Sequence, residues 1–590
     1  MTQDTRQKTH DRKIAGSLLI VLLSWVMGLG SWVCFAQQGD DLEFSLDVNS
    51  SAIPLPKIFK PNIDLSGRGY SREPDWPQAL AAKEALDTWK EDIGFNGLFR
   101  LQYNLWEINQ LAKDKDAQAR LLSNYDNVFR EVTDAGGAVI LNIFGTPAGL
   151  GRVLDKKSAT WNLRAFKELV KSTMRDLSCQ KRYNIWYEVW NAPDLEDFFL
   201  GRKQEYLNLY KAVAESAAEL EEETKIHIPV GGPSVSWWFQ NFEGNTILTP
   251  ERSLIYELIK FCYRYRLPLD FISWHGFSTD PAVEKENTIY KKSAVNLIRN
   301  WLSYFNFSRD LPLIVDEWNF DLDANVLEER KEKSHIAASY VLSRIKNMHE
   351  AGLTFQVFFC LEDFDHNQEG LVRNVGIFSG EPKALYGVFR MLHQLGSEMF
   401  LTKLDHEFAG VIAAKSPAAL QLLIFNYVNP RIAIDYLAKN FVGSSGAERK
   451  SLLNLINSGK LEDILERRLS ISGLRATKRV KSRLKNALEL KERADKFKSQ
   501  DRNLKLKLRN LKGSYLYSRY TLDGSSGSSG ALIPAEEKKI AVAANGLYEE
   551  SLKLSPYSAH LVVLQESTID TGPQPAAAAK ETGKNAELQE

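Results

Sequence analysis

The sequence predicts an α/β architecture, a (β/α)8 barrel followed by an accessory β-sandwich, and three observations support it. Between about residues 57 and 397, short apolar runs alternate with longer amphipathic ones, the pattern of strands alternating with helices. The stretch is ~340 residues long, which suits a barrel of typically ~250 residues enlarged by insertions. No glycine-rich phosphate loop follows the first strand candidate, as a doubly wound open sheet would require.

The strand candidates in order are Pro61–Leu65, Asn96–Leu101, Ala138–Phe144, Asn184–Trp190, Ile226–Val230, Asp270–Trp274, Leu313–Val315 and Phe355–Cys360. Helical stretches between them include Arg164–Asp176, Gln204–Glu221, Ser253–Tyr265, Ala294–Phe305 and Ser334–His349. After residue 397 the texture changes. Phe408–Ala414, Ala419–Tyr427, Tyr515–Leu522 and His560–Leu564 read as short strands. They predict a sandwich built from 398–430 and 512–567, interrupted by a charged helical insertion at 431–511. Gly524–Gly530 is linker-like, and the tail 571–590 is expected to be disordered.

The N-terminus carries Arg6, Lys8, Arg12 and Lys13, then an apolar run from Ile14 to Val33, then Cys34-Phe35-Ala36. This is the layout of a secretory signal over residues 1–36, and 14–33 is also long enough to stay as a membrane anchor. Either way the basic flank places the rest of the chain outside the cytoplasm, periplasmic or extracellular, free or anchored to the inner membrane. The 590 residues contain 75 Lys+Arg and 75 Asp+Glu, so net charge points to no nucleic-acid partner. The local exception is Lys478–Lys512, with fourteen Lys/Arg against four Asp/Glu. That run is either a solvated amphipathic hairpin or a contact for an acidic polysaccharide, an anionic lipid or a protein partner. Cys179, Cys262 and Cys360 show no metal-ligand spacing and cannot all pair with one another. Neither a metal nor a cofactor is expected.

In a (β/α)8 barrel catalytic groups sit at the C-terminal ends of strands. Two ends stand out: Tyr187-Glu188-Val189-Trp190-Asn191-Ala192-Pro193-Asp194 on the fourth, and Val315-Asp316-Glu317-Trp318-Asn319 on the seventh. An acid after an apolar strand, followed by Trp and Asn, suits a carboxylate held against a sugar ring. Retaining glycosidases need two carboxyls ~5–5.5 Å apart, one attacking carbon and one protonating the leaving oxygen. Strands four and seven can face each other across the mouth, which makes Glu317 the nucleophile candidate. Arg100 is expected to pair with Glu317 and keep it ionised. Glu188, deeper in the barrel, reads as a structural partner. Asn191 either bonds a sugar hydroxyl or caps the strand end. Trp190, Trp237, Trp238, Trp274 and Trp318 either stack on sugar faces or fill the core. Trp318, beside the nucleophile candidate, is the strongest for stacking.

YEVWNAPD (187–194) resembles the E-V-W-N-E-P-N stretch of glycoside hydrolase family 39, whose members include β-xylosidases, α-L-iduronidases and exopolysaccharide hydrolases. LPLIVDEWN (311–319) is similar to that family's nucleophile strand, and DFISWHGFS (270–278) to its sixth strand. Gly231-Gly232-Pro233, the stretch from Gly376 to Tyr386 and Leu554–Ser558 resemble further family segments in order. The resemblance spans about 57–565 apart from the insertion. It implies a retaining glycosidase acting on a polysaccharide or oligosaccharide, with Glu317 as nucleophile and His275 orienting it; without the resemblance His275 reads equally as a buried histidine. Two departures stand out. The family's acid/base Glu follows the Asn, where this chain has Ala192. The family's His two residues after the strand-two Arg is Gln102 here, which alters the sugar subsite.

An alanine can neither give nor take a proton, and losing a general acid/base costs ~10²–10⁴ in rate. Three readings follow. Another carboxyl, among Asp194, Glu196, Glu362 and Asp363, supplies the proton. Or the chain is a glycan-binding pseudoenzyme in a polysaccharide synthesis or export complex. Or the alanine was introduced to trap substrate, which sits poorly with an intact export signal.

Overall fold

The computed structural model describes residues 42–65, 89–239, 250–286, 293–320, 334–361, 364–366, 371–373, 382–441, 444–525 and 532–567. The apolar run 14–33, the 376–381 part of the family-like stretch and the tail 571–590 lie outside them. Among the described residues no helix is long and apolar enough to cross a membrane.

The described chain opens on two strands that bypass the barrel, β1 (Leu42–Asp47) and β2 (Ala52–Pro54). The barrel strands are β3 (Leu98–Asn104), β4 (Ala138–Phe144), β5 (Ile185–Val189), β6 (Val230–Val235), β7 (Phe271–Phe277), β8 (Leu313–Asn319) and β9 (Phe355–Phe358). They form one parallel sheet in sequence order. The sheet curls until residues 62–65 bridge its two edges: Ile63 pairs with Phe358 and Asp64 with Arg100, both parallel. This is a TIM-like barrel closed by its first strand. Among the described residues, the helices packed around it include α1 (Lys115–Asp134), α2 (Leu163–Met174), α3 (Lys203–Thr224), α4 (Leu254–Tyr265), α5 (Ala294–Tyr304) and α6 (Ser334–Ala351). Their starts are capped as their sequences allow, with Asp114, Asn162, Ser253 and Ser293 each accepting a bond from a first-turn backbone N–H. The fifth strand begins at Val230, where the Ile226–Val230 expectation ended, because the Gly231-Gly232-Pro233 turn signal lies inside the strand.

Two apolar cores divide along the barrel wall. The outer one joins strand backs to helices. The inner one is a plug at the N-terminal end, made of Leu98, Ala138, Ile140, Phe271, Ile314, Phe355 and Val357. Two residues further along each strand the inward positions become polar: Arg100, Asn142, Glu188, Ser273 and Asp316, all buried. Alternation thus builds a dry floor and a charged layer above it.

Beyond α7 (Ala384–His393), β10 (Phe364–His366) and β11 (Leu371–Arg373) having formed a hairpin before it, the chain builds two further sheets, antiparallel except for one pair of strands. Their strands are β12 (Glu398–Phe400), β13 (Ala409–Ser416), β14 (Ala419–Asn426), β15 (Arg502–Arg509), β16 (Ser514–Leu522), β17 (Pro534–Ala541), β18 (Tyr548–Leu554) and β19 (Ala559–Glu566). Sheet order is β17-β16-β19-β14-β13-β12-β2 for one and β1-β15-β18 for the other, in which β1 pairs with β15 in parallel. Leu504, Leu506 and Leu508 of the smaller sheet share a core with Leu422, Ile424, Val562 and Leu564 of the larger.

Two expectations need correction. The helical insertion does not run to 511: α8 (Ile432–Phe441), α9 (Gly446–Asn457), α10 (Lys460–Leu465) and α11 (Lys478–Lys498) are helical, and 502–509 is strand. The cause is legible in RNLKLKLR, whose leucines alternate with period two and are buried while Asn503, Lys505 and Arg509 face water. The second sheet also draws β1 from the N-terminal side, where LEFSLD has the same alternation.

Candidate active site

The seventh barrel strand presents Glu317 through a bulge. In a regular strand Ile314, Asp316 and Trp318 would share a face, with Glu317 pointing out to the helices. Pairing with β7 runs Trp274 against Val315 and then His275 against Glu317, skipping Asp316. One skipped residue reverses the alternation beyond it. Both acids therefore approach Arg100, Asp316 Oδ2 at 3.9 Å from Nε and Glu317 Oε2 at 3.2 Å from Nη1. Trp318 is turned outward into the core.

Arg100 is the hub. Its Nη1 donates to Asp64 (2.8 Å) and Glu317, its Nε to Glu188 (2.9 Å), and its Nη2 to Asn191 Oδ1 (2.7 Å) and Ser234 Oγ (3.1 Å). Glu188 also accepts from Asn142 (2.8 Å) and Ser273 (2.7 Å). His275 Nε2 lies 3.3 Å from Glu317 Oε2 and 3.1 Å from Ser234 Oγ. Glu317 Oε2 thus takes both contacts. Its Oε1 has no hydrogen-bond partner among the described residues, and the side chain keeps 13% exposure toward the mouth.

One cation serves four carboxyls, so their protons must be shared out. Burial pushes the Asp316 carboxyl far up, and the charge of Glu188 adds to this. Burial also raises Glu188, but Arg100 and bonds from Asp316, Ser273 and Arg100 outweigh it and hold Glu188 below the usual range. The two are thus pushed in opposite directions, Asp316 toward holding a proton and Glu188 toward releasing one. Burial raises Glu317 to about 7, against the pull of Arg100 and with help from the charges of Asp64 and Glu188. Of the expectation that Arg100 pairs with Glu317 and keeps it ionised, the contact exists, but desolvation exceeds its pull on the carboxyl. Burial and the nearby Arg100 lower His275 to about 3. Its contact with Glu317 is that of a neutral imidazole, and a proton on Nε2 lets it donate to the carboxylate.

The end of β5 is built differently. Trp190 (φ 68°) and Ala192 (φ 41°) both adopt left-handed backbone. Ala192 N–H donates to Ser234 O (2.9 Å), and Ala192 O accepts from Leu195 N (3.0 Å). Ala192 is 1% exposed. Asp194 accepts from the Ser236 backbone N–H (2.9 Å) and from Ser236 Oγ, so both its oxygens are engaged, and burial raises its pKa. Glu196 is exposed. Glu362 and Asp363 lie outside the described residues.

The structure brings Arg100, Glu317, His275 and Asn191 together, with Gln102 buried one inward position above Arg100 on β3. Asn191 Oδ1 accepts from Arg100 Nη2. It does not place Trp318 or Trp274 where a sugar could stack. Trp318 is fully buried, its Nε1 bonded to Gln356 (2.7 Å), its ring edge-on to Phe358 and under the Arg344 guanidinium at 5.1 Å. Trp274, Trp190 and Trp238 are also buried. The physical reason for Trp318 is the bulge, which exchanged its face with Glu317's. Trp237 alone of the five is half-buried, on a cleft it shares with Trp238, Trp274, His275, Glu284 and Arg344.

Sequence reasoning missed Asp64, Asn142, Ser234, Ser273, Asp316 and Arg344. The first five sit on inward strand positions level with Arg100, and only the alternation around that arginine could have found them. Arg344, from α6, pairs with Glu284 (2.5 Å) and donates to Asn319 O (3.2 Å), fixing the backbone just past Glu317. A Cβ on Gly276 would lie 2.8 Å from its Nη2, which explains a glycine directly after His275. Among the described residues no group of three or more His, Cys, Asp or Glu could hold a metal ion. None of the three cysteines Cys179, Cys262 and Cys360 is in a disulfide.

Residues 151–429 match the model of Glycosyl hydrolases family 39. A β-xylosidase of Caldicellulosiruptor saccharolyticus is 26% identical over 265 residues, 42% of this chain and 50% of that protein. The chain thus spans about half the length of this curated relative. Among solved structures, the GH39 enzyme from Xanthomonas axonopodis pv. citri superposes with a TM-score of 0.60 at 14% identity, covering 90% of this chain and 98% of that one. A monomeric β-xylosidase from Caulobacter crescentus CB15 gives 0.57 at 13% identity, covering 89% and 99%. At these identities the likeness is one of fold.

Proposed function

We propose that this chain, whose residues 151–429 match the family 39 model, is a retaining-type glycosidase of that family with Glu317 as nucleophile and no proton donor at Ala192. The observation that carries this reading is the split of Glu317's oxygens: Oε2 held by Arg100 and His275, Oε1 left open. Oε1 attacks the anomeric carbon, and the bond to the leaving oxygen breaks with its electron pair on that oxygen. An aryloxide with an acidic parent phenol can leave unprotonated; a sugar alkoxide cannot do so at a useful rate. Without an acid/base the barrier for a sugar leaving group rises by about 3–5 kcal/mol. Asp194 is a poor substitute, with both oxygens bound to Ser236.

The β-xylosidase relative favours a xyloside or a similar neutral sugar at the cleaved position. Asn191 Nδ2 faces a sugar hydroxyl, and Gln102 takes the place of the family's histidine at the subsite. The basic flank and apolar run of residues 6–33 put the target among exported polysaccharides. The vacancy at Ala192 favours a second reading, a pseudoenzyme that holds a glycan without cutting it.

Aryl xylosides with good and poor leaving groups, with and without azide, separate the two. The proposal expects turnover of activated substrates only, accelerated by azide with formation of the glycosyl azide, because azide needs no base to attack the glycosyl-enzyme. Binding of xylo-oligosaccharides without hydrolysis of any aryl xyloside would establish the second reading.

A further inference from the structure

The helical insertion carries a cation run that its own fold does not need. Residues 475–485, RATKRVKSRLK, hold Arg475, Lys478, Arg479, Lys481, Arg483 and Lys485 and no acid. The inward face of this half of α11 is Val480, Leu484 and Ala487, so packing is satisfied without the charges. Arg479 and Arg483, and Lys481 and Lys485, are like-charged pairs four apart, which weaken a helix. No acid stands in the first turn, where cations also oppose the helix dipole. Local compensation is thin. Arg479 reaches Glu448 only at 3.8 Å and Lys485 reaches Glu489 at 3.6 Å, with 60% and 73% of the two cationic side chains exposed. Arg483 bonds Ser444 Oγ and Lys481 bonds Ser472 O. Arg475 and Lys478 are exposed, with no partner among the described residues.

The run lies beside the barrel mouth. α8 packs along α11, Asn486 bonding Tyr436 at 3.1 Å. The C-terminal part of α8 is pinned to the loop after β7 by Lys439, 3.0 Å from Asp280. Tyr427 adds a bond to Thr279 O on the same loop. That loop follows the strand bearing His275 and carries Glu284, the partner of Arg344. Ser444, which Arg483 holds, is only five residues beyond Lys439. The opposite end of α11 leads into β15, where Leu504 pairs with Leu42. A membrane anchor at 14–33 would therefore join the molecule at the far end of a helix roughly 30 Å long. The cations lie against the C-terminal part of α8, which is held to the loop after the His275 strand, and at the opposite end of α11 from that entry.

We propose that this face of α11 is an accessory binding surface for an acidic polysaccharide, holding the polymer beside the barrel mouth. The proposal rests on the glycosidase reading for what the mouth does, but the surface binds whether or not Glu317 cuts. A polyanion would relieve the like-charge pairs and release its own counterions on docking.

Alginate oligosaccharides serve as the acidic probe, neutral xylan as the uncharged one, and phosphatidylglycerol vesicles as the anionic surface, all with the full chain. The surface predicts alginate binding that falls steeply as salt rises from about 50 to about 300 mM, and that weakens about tenfold or more in K478Q/K481Q/K485Q. Circular dichroism reports that the variant is folded. The charge-matched variant K505Q/K507Q/K512Q, at the other end of α11, should bind alginate like the parent. Equal loss in both variants, no alginate binding, or vesicle capture without alginate binding would each overturn the proposal. Hydrolysis of a small uncharged aryl xyloside is scored separately and tests Glu317 alone.

Discussion

The ends of β8 and β5 face the same mouth and have been treated in opposite ways. At β8, a bulge, an arginine and a neutral histidine converge on one carboxylate oxygen of Glu317. At β5, the left-handed backbone of Trp190 and Ala192, the Ser234 and Leu195 bonds and the Asp194–Ser236 clasp all stand, but the side chain they present is a methyl group. On the proposed reading this is an acid/base position whose backbone is held by its neighbours without an acid. At β5 the scaffold stands with a methyl group, whereas at β8 the carboxylate is itself one of the groups that Arg100 holds.

The largest effect should come from attacking the furnished end. E317Q should lower kcat/KM for an activated aryl xyloside by more than about 10³-fold, and azide should not restore it. Retained activity would remove β8 from the chemistry. Next, A192E tests whether β5 lacks only its side chain. Turnover of poor-leaving-group xylosides should rise by roughly 10²–10⁴ and azide acceleration should shrink; no change, in a folded variant, would show that the β5 scaffold no longer aims at the leaving oxygen.

Smaller effects follow from the protonation of Glu317. With its pKa near 7, kcat/KM on activated substrates should rise about tenfold per unit below that pH and level off above it. A profile flat through neutrality would mean that Arg100 wins over burial. The same shift has a stability consequence. The folded pKa lies above the ordinary 4.5, so between the two values the folded state holds more protons than the unfolded chain. Stability falls as pH rises through that window, by a few kcal/mol at most, about 3. E317Q should therefore melt at a higher temperature than the parent at about pH 8, with the gain vanishing near pH 4.5. The smallest effect is at β5, where A192G removes the left-handed strain of alanine. Its gain is up to about 1 kcal/mol, reduced by the extra freedom glycine has when unfolded, and read as a rise in Tm.

What was legible in the sequence follows the same division. Regular periodicity exposed the barrel and the later strands, the residues at strand ends pointed to Glu317 and Asn191, and the missing acid at Ala192 came only from the resemblance to the family. Trp318 was misread because a one-residue bulge reverses which side chains face inward, and nothing local in VDEWN marks it. Ser234 and Ser273 escaped because a small polar residue among apolar ones has no period of its own. β15 was hidden by its charge: lysines on the exposed face of RNLKLKLR continue the basic run of α11, and composition masked the change from period 3.6 to period 2.

The central claim, a working nucleophile without its acid, is tested most directly by trapping. A 2-deoxy-2-fluoro xylosyl donor with a dinitrophenolate leaving group needs no proton, and it forms a glycosyl-enzyme that turns over slowly. Intact-mass spectrometry with peptide mapping should find one fluoro-xylosyl unit per chain, on Glu317, persisting until azide is added. An unmodified protein after prolonged exposure, or a label on any other residue, would contradict the account.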